Sequence, residues 1–145
     1  MATDDFSTAW TLISTACRLC LDAGFHRLPD DHSTPYIRRS RLLFWVAYTI
    51  DKGLALSFGR AANIQDYDIS IAEPLIQEDF KIVSTGRNFV VWIRYAEVQG
   101  LVYQELYSAQ GLRRSAADRA VRAQHLAHRL LEVMSTVSAL RTFVL

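Results

Sequence analysis

Charge of one sign is what this chain most lacks. Sixteen basic and fifteen acidic residues leave a net charge of +1 over 145 residues, so no overall field draws a polyanion. Autonomous DNA binding therefore has no electrostatic support. Cysteine is nearly missing too. Cys17 and Cys20 stand at C-x-x-C spacing with no His or Cys nearby to complete a tetrahedral metal site. They read as small buried helix residues in a reducing compartment. The longest stretch suited to a membrane is interrupted by Asp51 and Lys52, and residues 88–93 are too few to span one. Asp4 and Asp5 occupy the place where a signal peptide would be positive, and a soluble intracellular chain is expected. There is no Ser-His-Asp ordering, nucleophile elbow or Gly-rich phosphate loop, so no enzymatic activity is expected.

What is present is helical patterning. Hydrophobic residues make up 50% of the chain and charged residues 21%, enough for one core and too short a chain for two. A single domain over residues 1–145 is expected. Ser7 or Thr8 is placed to cap a first helix running to about Asp22, with Phe6, Trp10, Ile13, Cys17 and Cys20 as its apolar stripe. Gly24 is placed to stop it, and Leu28 to Pro35 is a loop by its breakers. A second helix, Tyr36 to about Ser57, is apolar nearly all round and therefore central, with Arg38, Arg39 and Arg41 on its opening turn. Residues 59–86 form a long connecting segment of short turns and extended pieces such as Tyr67 to Ile71. A third helix fits Arg87 to about Ala109 with Gly111 ending it, and Ser115 with Asp118 opens a fourth. The expected fold is all-α: an irregular bundle of about four main helices with one long connecting loop. The apolar ending Phe143-Val144-Leu145 suggests part of a larger helical domain.

Several side chains invite a chemical reading. Asp51, set in an apolar helix, must be paired if buried, and Arg18 or Arg60 is the expected partner. Trp45, Tyr48, Asp51 and Arg60 are candidates for a ligand or regulatory pocket, since apolar cavities with a few polar groups hold small molecules; an ordinary aromatic core is the alternative. Gly59, Arg60, Asp66 and Asp68 are candidates for fastening the connecting loop. Arg60 either pairs with the acidic residues there or holds an anionic effector bidentately, and the residues alone do not separate the two. Asp66, Asp68, Glu73, Glu78 and Asp79 form an acidic loop that lacks the alternation and glycine of a calcium site. His125 and His128 share a helix face with Arg122 and Arg129 nearby and read as solvated polar residues.

One stretch names a family. Arg39, Arg41, Leu42, Phe44, Trp45, Tyr48, Asp51, Leu54, Leu56, Gly59, Arg60, Ile64, Asp66, Asp68 and Ile69, preceded by Ala9-Trp10-Thr11-Leu12-Ile13, Ala16, Arg18, Leu21, Asp22, Gly24, His26 and Arg27, resemble the fungal-specific transcription factor domain. That domain is the middle homology region of binuclear zinc-cluster regulators. The two blocks span about half the chain. After the Gly-Arg turn the family usually carries two prolines, where this chain has Ala61 and Ala62. The resemblance implies a regulatory segment of a nuclear transcription factor that controls DNA-templated transcription and responds to a small-molecule effector or a partner. DNA would be read by a separate zinc-dependent module: the family's zinc cluster needs six cysteines, so this chain is expected to hold no metal or cofactor and to make no DNA or membrane contact. Its partners would be other regions of a parent factor, regulatory proteins or a second copy. The alternative is a stand-alone helical interaction module derived from that family.

Overall fold

The structure, a computed structural model, describes residues 2–31, 34–73 and 86–142. Five α-helices carry it: α1 (Ala2–Asp22), α2 (Pro35–Ser57), α3 (Gly86–Val102), α4 (Ala109–Leu112) and α5 (Ala116–Thr142). Short 3-10 turns lie at Phe25–Arg27 and Asp66–Asp68, and a π-helical turn at Tyr103–Tyr107. No strand occurs among the described residues, so the all-α expectation holds. Phe143 to Leu145, with Glu78 and Asp79 of the acidic loop, lies outside them.

The helices pack in a row, α1 on α2, α2 on α3 and α3 on α5. The core between the first three is Ile13, Cys17 and Cys20 from α1, Phe44, Trp45, Ala47 and Tyr48 from α2, and Ile93 and Ala96 from α3, closed by Ile64 and Ile71 of the connecting loop. Each large apolar side chain fully buried there contributes about 1.5–3 kcal/mol. Helices α2 and α3 run in the same direction. Lys52 lies against Gly100, while Ala72, which accepts from Trp45, is followed by Glu73, which pairs with Arg94. Across the other side of α3, Arg129 reaches Glu97 at 2.9 Å and Arg122 bridges Asp118 and Glu105, tying α5 to the row.

Helix ends follow local chemistry. Gly24, at φ +74°, terminates α1 as its lack of a Cβ permits. Pro35 opens α2, where a missing N–H costs nothing. Ser115 Oγ accepts from Asp118 N–H at 3.2 Å at the start of α5.

Five expectations need correction. The first helix begins at Ala2 rather than at Ser7 or Thr8, since neither Gly nor Pro interrupts residues 2–6. Tyr67 belongs to a 3-10 turn, with extended backbone resuming at Ile69. The third helix gives way at Val102 to the π turn, where Ser108 N–H donates to Tyr103 C=O. Gly111 then lies inside α4 rather than ending α3: a Cβ there would sit 2.6 Å from the Glu105 carbonyl oxygen, so only glycine fits. Finally, Arg41 does not decorate the opening turn of α2. It is fully buried, donating to the Pro29 carbonyl at 3.2 Å with Asp30 at 3.6 Å.

Candidate functional site

Four side chains on one face of α2, Trp45, Tyr48, Asp51 and Lys52, follow one another at helical spacing and all point at the loop that returns from Gly59. Gly59, at φ +63°, turns the chain back, and Arg60 N–H donates to Ala55 C=O at 2.8 Å. Asp51 is 0% exposed, and its carboxylate accepts three hydrogen bonds. Asn63 gives its backbone N–H at 3.1 Å and its side-chain amide at 2.7 Å, and Ile64 gives its N–H at 2.9 Å. Lys52, 3% exposed, donates to the Ile64 carbonyl at 2.9 Å and to Asp66 Oδ2 at 3.2 Å. Both polar groups of the Ile64 backbone are thus satisfied by adjacent charged residues of α2, which lets the Ile64 side chain enter the core completely.

Further contacts extend this latch. Tyr48 donates its hydroxyl to Asp66 at 2.7 Å, and Trp45 its indole N–H to Ala72 C=O at 3.2 Å. On the loop's far side, Asp68 pairs with Arg27 and lies 3.7 Å from His26 Nε2, while Ser70 N–H donates to His26 C=O at 3.0 Å. The rings of Phe44, Trp45 and Tyr48 stack edge to face at 5.4 and 5.2 Å, a filled core arrangement. Grooves open elsewhere, one along Trp10, Ser14 and Arg18 of α1 and one of about 220 Å³ between Arg94, Glu97 and Arg129.

Burial sets the acid–base behaviour here. It pushes the Tyr48 hydroxyl well above the usual phenol range, with its hydrogen bond to the Asp66 carboxylate adding to the effect. It pushes the Cys17 thiol up to about 12, reinforced by the Asp51 charge, and raises Cys20 as well. Neither thiol is therefore a ready nucleophile or metal ligand near neutral pH. Among the described residues no group of three or more His, Cys, Asp or Glu could hold a metal, and the zinc cluster of the resembling family does not fit this chain's two buried thiols.

The candidate residues separate into two groups. Trp45, Tyr48, Asp51 and Asp66 are brought together by the loop, which Asp68 fastens on its far side to Arg27. Arg60 stands apart, its guanidinium 5.3 Å over the Trp10 ring, a cation–π contact. Asp51 is thus held by Asn63 and Ile64 rather than by Arg18, which pairs with Asp22, or by Arg60. Residue-level reading missed Lys52 and Asn63. Lys52 had a visible signal, a second consecutive charge inside an apolar helix, whereas nothing local points from Asp51 to residues 12 and 13 positions onward.

Residues 1–93 match the sequence profile of the fungal specific transcription factor domain. The chain is 28% identical over 114 residues to an ABC-transporter-regulating transcription factor of Aspergillus fumigatus, an alignment covering 72% of this chain and 13% of that protein. It is 28% identical over 111 residues to a negative regulator of pleiotropic drug resistance of Candida glabrata, covering 70% and 10%. A transcriptional regulatory protein of Schizosaccharomyces pombe is 24% identical over 109 residues, covering 72% and 13%. The matched stretch is thus about an eighth or less of these relatives' lengths. No solved structure matches the chain. With its signature residues assembled into the helix–loop latch, and the profile covering well over half its length, the chain belongs to the fungal specific transcription factor domain family.

Proposed function

We propose that this chain works as the regulatory segment of a nuclear transcription factor whose DNA contacts are made by a separate zinc-dependent module. The observation that carries the reading is the family match over residues 1–93, centred on a latch that contains no reactive group. Chemistry is an unsuited role: the buried Asp51 carboxylate is engaged by three structural donors, and none of those donors is a group that exchanges protons. Regulation suits it better. The latch fastens the connecting loop to α2 and buries Ile64 and Ile71, so an effector or partner that prefers the released loop shifts a two-state packing equilibrium. Trp45, Tyr48 and Asp51 are the regulatory residues of this proposal, with Asp66 and Asp68 as the loop's fastenings and Gly59 as its turn. Arg60, over Trp10, is the candidate for contact with an anionic effector.

The names of two relatives concern ABC transporters and pleiotropic drug resistance, so genes of that class are the first candidates for the targets of a parent factor, while the regulatory role itself is tested on a neutral promoter. The test places the 145-residue chain between a heterologous DNA-binding module and an activation segment in a yeast reporter strain. Output that differs from a fusion carrying an inert linker of equal length, at equal promoter occupancy, supports a regulatory role. Identical output from the two fusions sinks it. In a mobility-shift assay the isolated chain leaves duplex DNA unretarded; salt-dependent retardation would contradict the division of labour proposed here.

A further inference from the structure

The second helix is apolar nearly all round and central, yet one face of it stays exposed. Arg39, Leu43, Val46, Ile50, Gly53 and Ser57 follow one another at alternating steps of four and three, a continuous seam along α2. Leu43 is 55% exposed, Val46 40% and Ile50 46%. Gln99 of α3 lies against Gly53, so the α3 row Trp92, Tyr95, Gln99 runs beside this seam, and Trp92 and Tyr95 are 64% and 43% exposed. No charged residue interrupts the patch between Leu43 and Ser57 on α2 or among the three α3 residues. At about 150–250 Å² for a large side chain, these five expose roughly 500 Å² of mostly apolar area. With a polar rim, that is on the order of the 800 Å² per partner of a stable interface.

We infer that this face is the contact between two copies of the chain, with α2 packed antiparallel on α2 of the second copy about a two-fold axis near residue 48. The seam is symmetric about that position: Val46 meets the second copy's Ile50, Leu43 meets Gly53, and Arg39 meets Ser57. Each pairing has a physical reason. Two branched side chains fill the centre, Leu43 packs on the low surface formed by Gly53 and the Gln99 side chain beside it, and Arg39 comes to the carboxyl end of the opposite helix. That end carries no basic residue of its own in its last turn to offset the helix dipole. A two-fold contact requires this reciprocity of residue i with j and j with i. Trp92 and Tyr95 flank the seam as aromatic contacts of the type that dominate interface energies. The inference does not depend on the regulatory reading, since it concerns association alone.

Sedimentation equilibrium of the 145-residue chain gives a mass twice that of one chain at micromolar concentrations. Val46→Glu, which buries two like charges near the axis, gives the single-chain mass with unchanged helical circular dichroism. An equimolar mixture of Val46→Cys and Ile50→Cys chains forms disulfide-linked pairs under mild oxidation, while Leu131→Cys on the outer side of α5 does not. The native thiols stay silent in this assay because both are buried. A single-chain mass at every concentration overturns the inference, and so leaves the patch to a helix from another protein or another region. Dimers that persist in Val46→Glu, or that cross-link through Leu131→Cys, overturn it equally. Should Val46→Glu fail to fold, the cysteine pairs and the mass decide alone.

Discussion

Replacing Asp51 by alanine removes the acceptor of three hydrogen bonds from a residue with no access to water. The Ile64 N–H is left buried without a partner, which costs about 1–3 kcal/mol. Asn63 is only partly buried and regains some hydration, so its two lost bonds to a charged acceptor cost less, about 1–2 kcal/mol together. The sum is about 2–5 kcal/mol, overlapping the 3–5 kcal/mol usual for breaking a buried charged contact from one side, against a total stability of about 5–15 kcal/mol for a domain. Urea unfolding followed by circular dichroism measures it. We expect the midpoint to fall by about 2 M at unchanged m-value, and the Ile64 amide to lose its protection from hydrogen exchange before the α2 amides do. A loss below about 1 kcal/mol refutes the argument that Asp51 holds the loop.

Gly100→Ala tests the contact between α2 and α3. A Cβ there meets Lys52 Cδ at 3.0 Å and Nζ at 3.1 Å, so the variant loses about 1–2 kcal/mol; in a Lys52→Ala background the same change gains up to about 1 kcal/mol from helix propensity, which a double-mutant cycle by thermal unfolding measures. Gly59→Ala costs about 1–2 kcal/mol through the left-handed φ of +63° alone, because nothing lies within 4 Å of the added methyl, and Gly59→Asn costs less. The Cys17 and Tyr48 hydrogens are held more tightly in the folded chain than in the unfolded one. Their contribution is fully present below about pH 9 and is lost as pH rises through the interval from 9 toward 12, where the unfolded chain has already released the thiol proton; denaturation midpoints at pH 8, 9.5 and 11 check the direction. For the same reason native Cys17 stays unreactive to a thiol reagent at pH 8 until urea unfolds the chain.

Much of the fold is legible in the chain because helices announce themselves locally. The stripe Ile13, Cys17, Cys20, the stop at Gly24 and the Ser115 cap all rest on interactions within a few residues. The errors fall where distant parts decide. Gly111 looks like a helix stop until Glu105 is seen pressing on it, and Arg41 looks like a surface charge until the Pro29 carbonyl closes over it. Asp51 was recognisable as a residue needing a partner, but the expected cation was replaced by two backbone N–H groups, which carry no sequence signal, and by the Asn63 side-chain amide. The apolar surround of α2 pointed to a central helix packed on several sides, as its contacts with α1 and α3 have it, while Leu43, Val46 and Ile50 remain exposed.

The central claim is that the latch on α2 controls transcriptional output without touching DNA. The most direct measurement compares reporter output and promoter occupancy, by chromatin immunoprecipitation, for fusions carrying the native chain and Asp51→Asn, the milder change that keeps the shape of the side chain. The account predicts a changed output per occupied promoter at equal protein level. Output that stays strictly proportional to occupancy in both fusions contradicts it.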